Sequence, residues 1–294
     1  MSSPSSTRTA APSAVAVLGT GTMGQGIAQV AAQTGHPTRL WDADAAAGER
    51  ALSKVKAGLA TAVAKGKLSA EQAAAAEERL TISSDLASAV AGVGLVIEAI
   101  PEQLALKVAL FQQVVAAAPA AAVLASNTSS LSLTELAAAS GRPAQVVGMH
   151  FFNPPPVMKL LEIVRAEQTS PETLARARAF GEGFGKQIVE VRDSPGFASS
   201  RLGIALAMEA IRMLEEGVAS AADIDRAMEL GYGHPMGPLK LTDLVGLDVR
   251  LAIAEHLNRE LGGQRFQPPQ LLKRLVRAGK LGRKSGEGFY AYEK

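Results

Sequence analysis

Val15-Ala-Val-Leu-Gly-Thr-Gly-Thr-Met-Gly24 is the stretch that decides the fold. The short apolar run from Val15 to Leu18 ends in glycine and reads as a buried strand. A helical pattern follows to about Gln33 and is closed by Gly35. The glycines between strand and helix have separate duties. Gly19 permits a tight turn, Gly21 lets the backbone approach a pyrophosphate, and Gly24 lets the helix pack close to the strand. Thr22 and Met23 open the helix, whose N-terminal N–H groups and partial positive charge suit a phosphate. Thr38 to Trp41 reads as the next strand, with Asp42 at its end, where an acid takes the ribose 2′-hydroxyl. That carboxylate repels a 2′-phosphate, and residues 43–47 hold no arginine, so the expected cofactor is NAD rather than NADP. A ligand-free glycine turn with a helix-capping aspartate is the other reading of the same residues. The strand–turn–helix context weighs against it.

Further strands are expected at Leu95 to Ile97, at Val123-Leu124, at Val146 to Met149 and at Ile188 to Val191. A long alanine-rich helix is expected over residues 45–76. Helices separating most strands give a doubly wound α/β sheet of the Rossmann type. The pattern turns wholly helical after Asp193-Ser-Pro-Gly196. A long apolar helix runs from about Phe197 to Glu216, and Ser220-Ala-Ala-Asp223 reads as a capping box for another. Pro238 begins a further helix, and residues 270–278 form a shorter one. The expected organisation is a disordered tail over 1–13, a Rossmann-type domain over 14–191 and an all-helical domain over 192–294.

Composition narrows the function classes. Hydrophobic residues make up 47% and charged residues 20% of 294, which fits a globular protein with a full core. A net charge of +2 gives no reason to expect nucleic acid or an anionic membrane. Cysteine is absent, which removes disulfides, thiolate metal sites and cysteine nucleophiles and suits a reducing cytoplasm. No metal site is expected. The apolar run over residues 114–125 is broken by Pro119 and is too short to span a bilayer, and the first 13 residues lack the apolar core of a secretion signal.

The chain has four histidines. His36 sits in a turn, His256 on a charged helix face, and His234 in a loop before a helix; solvated or packing roles suit all three. His150 differs, because it follows a strand at the carboxyl edge of the sheet, where ligands bind in open α/β folds. Glu162 interrupts the apolar run Leu160-Leu-Glu-Ile-Val164, and a buried carboxylate needs a partner. Paired with Glu162, the His150 imidazole becomes an oriented base fit for removing a hydroxyl proton; a salt bridge with no catalytic duty uses the same two residues. Ser126-Asn-Thr-Ser-Ser130 also follows a strand, and its hydroxyls suit either a substrate oxygen or a helix cap.

At these residues the chain resembles the 3-hydroxyacyl-CoA dehydrogenase family, short-chain bacterial type. The resemblance runs from Val15 onward. It is carried by the glycine motif, Val96-Ile-Glu-Ala-Ile-Pro-Glu102, the Ser126 segment, Gly148-Met-His-Phe-Phe-Asn-Pro-Pro-Pro-Val-Met-Lys-Leu-Leu-Glu162, Asp193-Ser-Pro-Gly-Phe197, His234-Pro-Met-Gly-Pro238, and Leu281-Gly-Arg-Lys-Ser-Gly-Glu-Gly-Phe-Tyr290. It implies NAD-dependent oxidation of an (S)-3-hydroxyacyl-CoA to the 3-ketoacyl-CoA, as in β-oxidation, with 3-hydroxybutyryl-CoA the expected substrate. The alternatives are a 3-hydroxyadipyl-CoA dehydrogenase of aromatic catabolism and a non-catalytic NAD-binding protein on the same fold. It implies His150 as base, Glu162 as its partner and Ser129 at the substrate oxygen. It also implies Glu102, Lys107 and Asn153 along the nicotinamide half of the cofactor and Lys284 near the cofactor.

The chain departs from the family at Ser200, where the family has an asparagine that contacts the acyl oxygen; serine is shorter but still donates one hydrogen bond. Coenzyme A carries phosphates, and Lys54 and Lys65 share one face of the expected helix, so both are candidates to meet it, a solvated face being the other reading. The family's helical domain makes a dimer. Leu202, Ile204, Leu206, Met208, Ile211 and Leu214 crowd the first helix of that region with more apolar surface than one core-facing stripe needs, which suits a homodimer.

Overall fold

The computed structural model describes residues 13–293. The expected tail over 1–13 lies outside the described residues, apart from Ser13. The Ser13 carbonyl lies 2.8 Å from Nδ1 of His36. His36 packs against Phe180 and Phe184, as a core residue would. The chain divides into two compact units between Asp193 and Ser194.

The first unit is built on one eight-stranded sheet. Its strands are β1 (Val15–Leu18), β2 (Thr38–Trp41), β3 (Leu80–Ile82), β4 (Leu95–Glu98), β5 (Val123–Ser126), β6 (Val146–Phe151), β7 (Leu160–Arg165) and β8 (Gln187–Arg192). They lie in the order β3-β2-β1-β4-β5-β6-β7-β8, and every adjacent pair is parallel except β6 with β7. The helices are α1 (Thr22–Gln33), α2 (Ala45–Ala64), α3 (Ala70–Glu78), α4 (Leu86–Val90), α5 (Leu104–Ala117), α6 (Leu133–Ser140) and α7 (Pro171–Gly183). β1, β4 and β5 are buried along their whole length, as parallel strands covered on both faces must be. The chain leaves β1 for β2 and β3 on one side and crosses back to β4 on the other. This opens a crevice at the strands' carboxyl ends, the usual ligand position in such sheets.

One expectation for this unit is corrected, and two strands are added. The single helix over 45–76 is two helices. α2 stops at Ala64, Gly66 turns the chain with φ +65°, and a true capping box starts α3. In that box Ser69 Oγ accepts from the Gln72 N–H, and Gln72 Oε1 accepts from the Ser69 N–H. β3 and β7 were not foreseen. β3 is three residues at the sheet edge, and β7 carries its acid in mid-strand.

The second unit is helical, with α8 (Ser199–Glu215), α9 (Ala221–Gly231), α10 (Pro238–Val245), α11 (Leu247–Leu261) and α12 (Gln270–Arg277). Ile204, Met208 and Ile211 of α8 form its core with Leu239, Leu257 and Leu272. Three residues expected to build a dimer surface therefore face the interior of their own unit. Leu202 is 72% exposed, and Leu206 and Leu214 are half-buried. The capping box at Ser220 is half formed: Ser220 Oγ accepts from the Asp223 N–H and donates to the Asp223 carboxylate instead of receiving a reciprocal backbone contact.

Two buried aspartates tie the C-terminal segment to this unit. Asp225 accepts from the N–H groups of Leu239 and Lys240, in the first turn of α10, and from the Tyr290 hydroxyl at 2.6 Å. Asp243 accepts from the N–H groups of Phe289 and Tyr290 and from the Tyr292 hydroxyl at 2.9 Å. Burial pushes Asp243 up, while the phenol of Tyr292, partly buried and bonded to Asp243, is pushed up to about 12. Among the described residues no helix is long and apolar enough to cross a membrane, and no cluster of three metal-ligating side chains occurs.

Candidate active site

The parallel register sets the site. Leu18 stands beside Trp41 and Glu98, Glu98 beside Ser126, and Ser126 beside Gly148. Gly19, Asp42, Glu98, the 126–130 segment and His150 therefore emerge along one carboxyl edge.

At the first strand the glycines are required for different reasons. Gly19 has φ +95°, in the left-handed region that glycine tolerates. A Cβ at Gly24 would lie 1.8 Å from the Gly19 carbonyl oxygen, so the helix can approach the turn only without one. Gly21 is different: it has an ordinary φ of −65°, and a Cβ there would meet no atom within 4 Å. It caps α1 without a side-chain bond, so its surroundings lie open toward the first-turn N–H groups. A cavity of about 1000 Å³ adjoins it, lined among others by Thr22, Met23, Asp42, Arg50, Lys54 and Ile100. Asp42 Oδ2 accepts from both the N–H and the hydroxyl of Thr20, at 2.8 and 2.7 Å. This holds the carboxylate at the cavity wall. Arg50 lies just beyond the arginine-free window of the sequence, and its guanidinium pairs with Asp44 at 2.9 Å. The open Gly21 backbone, the cavity and the fixed acid together fit a dinucleotide.

Glu98, at the end of β4, is fully buried. Its Oε1 accepts from the Ile100 N–H at 2.7 Å and from Lys107 Nζ at 2.6 Å, and its Oε2 accepts from the Ser126 hydroxyl at 2.6 Å. Lys107 Nζ also lies 3.2 Å from Glu102. Glu102 gathers the next loop: its Oε1 accepts from the Thr128 hydroxyl at 2.6 Å and from the N–H groups of Ser129 and Ser130 at 2.9 and 3.2 Å. Burial pushes the Glu98 carboxyl up despite Lys107. For Glu102 burial also acts upward, but Lys107 and the hydrogen bonds from Thr128 and Ser129 outweigh it and hold the group below its usual range.

His150 and Glu162 are direct partners across the antiparallel β6–β7 ladder, with Nδ1 of the imidazole 2.8 Å from Oε2 of the carboxylate. Both are buried, and the Phe152 ring lies 4.6 Å from the imidazole. Asn127 accepts from the Phe151 N–H at 2.9 Å, joining the 126–130 segment to the end of β6. The loop after His150 is held from two sides. Pro155 packs on Gly26 of α1, where a Cβ would lie 2.6 Å from it, and Lys186 Nζ donates to the carbonyls of Pro155 and Met158.

These features coincide with the matches to known proteins. The profile described as 3-hydroxyacyl-CoA dehydrogenase, NAD binding domain, matches residues 14–194, and that of the C-terminal domain matches residues 196–292. The chain belongs to the 3-hydroxyacyl-CoA dehydrogenase family. It is 46% identical over 279 residues to a protein of Bacillus subtilis named "probable 3-hydroxybutyryl-CoA dehydrogenase", covering 95% of this chain and 97% of that one. It is 44% identical over 277 residues to the 3-hydroxyadipyl-CoA dehydrogenase of Escherichia coli, covering 94% of this chain and 58% of the other. The crystal structure of (S)-3-hydroxybutyryl-CoA dehydrogenase PaaH1 from Ralstonia eutropha superimposes with a TM-score of 0.92 at 40% identity, covering 96% of this chain and all of that one. The fold class, the NAD-dependent dehydrogenase activity and the NAD cofactor expected from the sequence are thereby borne out. The family implies an acyl-CoA substrate.

The remaining expected residues fall in several places. Asn153 is exposed in the loop after β6. Lys54 lines the nucleotide cavity, while Lys65 caps the C-terminus of α2 outside the lining of that cavity, so the helix does not present them as a pair. Ser200 is half-buried in the first turn of α8, and the N-cap of that helix is Ala198, with no side-chain cap bond. Lys284 pairs with Asp248 at 2.6 Å within the second unit. The sequence pattern points to no role for Glu98, Asn127 or Lys186.

Proposed function

We propose that the protein oxidises the 3-hydroxyl of a short-chain (S)-3-hydroxyacyl-CoA such as 3-hydroxybutyryl-CoA, with His150 as the base and Glu162 as the group that orients it. The observation that carries this is the His150–Glu162 hydrogen bond at the sheet's carboxyl edge, beside the loop that Glu102 organises. Glu162 accepts at Nδ1, which selects the tautomer with its lone pair on Nε2. Nε2 takes the hydroxyl proton as the C3–H bond breaks and the carbonyl forms. NAD, when bound, accepts the hydride at nicotinamide C4.

Gly19, Gly21, Thr22, Met23 and Gly24 form the pyrophosphate turn, and Asp42 takes the ribose. Glu102, Lys107, Ser129 and Asn153 border the nicotinamide end, and Lys284 reaches the cofactor. Ser129 and Ser200 hydrogen-bond the acyl group. Lys54 and Lys65 remain candidates for coenzyme A phosphate, although the cavity beside Lys54 favours the nucleotide. We read residues 14–191 as the cofactor domain and 192–294 as the substrate and dimerisation domain of a cytoplasmic homodimer, the absence of cysteine supporting the compartment.

The test is NAD reduction with (S)-3-hydroxybutyryl-CoA beside free 3-hydroxybutyrate. Turnover of the thioester alone is expected; equal turnover of the free acid rejects the coenzyme A reading.

A further inference from the structure

The nucleotide cavity contains the kind of residue that admits NADP. In folds of this class an arginine near the ribose accommodates a 2′-phosphate. Arg50 lines the same cavity wall as Asp42. Ala47, Arg50 and Lys54 all face that cavity from one side of α2. The helix also begins there, since its N-cap Asp44 lines the cavity too, and the macrodipole adds partial positive charge at that end.

Two acids stand against these charges. Asp42 is engaged on both oxygens: Oδ2 accepts from the N–H and hydroxyl of Thr20, and Oδ1 accepts from the Asp44 N–H at 3.1 Å. Asp44 divides its own carboxylate between two duties. Its Oδ1 caps α2 by accepting from the Ala46 N–H at 3.0 Å, and its Oδ2 accepts from Arg50 Nη2 at 2.9 Å. The bond from Arg50, aided by the N–H groups of Ala46 and Ala47, holds the Asp44 carboxyl below its ordinary range, so both partners are charged at neutral pH. Arg50 thus meets the cavity already paired.

We propose that Asp44 is a second specificity residue for the cofactor: it withholds Arg50 from a 2′-phosphate, so that the preference for NAD over NADP rests on Asp42 and Asp44 together. This builds on the reading of Asp42 as the ribose ligand. A phosphate monoester brings a charge of about −1.5 to −2 and three acceptor oxygens, and a free guanidinium is its natural partner. Here the guanidinium must first leave a carboxylate, and that carboxylate would then face the phosphate unpaired. Both penalties fall on NADP alone, because NAD carries a neutral hydroxyl at that position. Both side chains of the pair are exposed, and such pairs contribute little to folding stability. The effect of this one falls on what enters the cavity.

Binding, rather than turnover, tests the proposal. Trp41 is the only tryptophan and lines the cavity, so its fluorescence follows titration with NADH and with NADPH. Wild type should bind NADH the more tightly. Asp44→Asn keeps a side-chain oxygen to cap α2 while releasing Arg50. It should tighten NADPH by about tenfold and leave NADH within about twofold. Adding Arg50→Met should return NADPH to within about threefold of wild type. An unchanged NADPH Kd in Asp44→Asn overturns the proposal. So does a gain that survives in the double variant, because Asp44 would then act through its own charge and not through Arg50. A lowered Tm with weaker binding of both cofactors in Asp44→Asn makes Asp44 a helix cap alone and overturns it as well. If wild type itself binds NADPH as tightly as NADH, the reading of Asp42 fails along with it.

Discussion

Lys107 stands between two carboxylates that the fold treats in opposite ways: its Nζ is 2.6 Å from Glu98, which burial pushes up, and 3.2 Å from Glu102, which is held low. Breaking such a buried pair strands the remaining charge. Glu98→Leu should therefore destabilise the protein by about 3–5 kcal/mol in urea unfolding. Glu98→Leu combined with Lys107→Met should recover part of that loss, because both charges are then gone. A double variant no more stable than Glu98→Leu would show that Glu98 matters through Ser126 and Ile100 rather than through Lys107.

The same two acids give stability an identifiable pH dependence. The lowered carboxyl of Glu102 contributes stability above its ordinary value of 4.5, and this is lost as pH falls through its folded value. Glu98 has the opposite sign. Its contribution is present below 4.5 and is lost as pH rises through its raised value. Glu102→Gln should flatten the fall in Tm below about pH 4.5. An unchanged acid limb in thermal melts would remove Glu102 from that balance.

His150→Gln should lower kcat by at least ~10²-fold with NAD affinity nearly unchanged, since general-base catalysis contributes about 10²–10⁴. Glu162→Gln keeps the shape but withdraws the negative charge from Nδ1. It should slow turnover less and displace the pH–rate profile. A His150→Gln enzyme with near-normal kcat sinks the assignment.

Gly21 and Gly24 lie in one motif, yet alanine should fail at each for a different reason. At Gly24 the new Cβ would meet the Gly19 carbonyl at 1.8 Å, so Gly24→Ala should lower Tm. At Gly21 the protein itself leaves room, so Gly21→Ala should keep its Tm and lose NAD affinity in calorimetry. Loss of Tm at both positions would mean that the turn needs Gly21 for its own folding.

Part of this site is legible in the sequence. The glycine motif lies between strand and helix, and His150 and Glu162 are polar residues in apolar runs, where burial forces a partner on each. What remained hidden depends on pairing between strands. β7 was missed because its acid breaks the apolar pattern, and the same acid is what crosses the ladder to His150. Glu98 closes an apolar strand, and its partner Lys107 comes nine positions later on α5; the resemblance brings Lys107 to the cofactor site but does not pair it with Glu98. Local pattern carries no sign that the chain folds back and encloses both. Lys54 and Lys65 share helical phase in the sequence, but α2 ends at Ala64, so Lys65 stands at its C-cap, a boundary that periodicity alone does not mark.

The tyrosine-bearing segment that satisfies Asp225 and Asp243 has a consequence for biosynthesis. A ribosome delivers α9 and α10 with these two carboxylates well before Phe289, Tyr290 and Tyr292 emerge to bond them. Until then Asp243 lacks the three donors of that segment and Asp225 has only the N–H groups of Leu239 and Lys240, and closing the interior over an acid without its donors is costly. The interior of the second unit is therefore fully satisfied only once its last residues are in place, so truncation before Phe289 leaves Asp243 without these three donors.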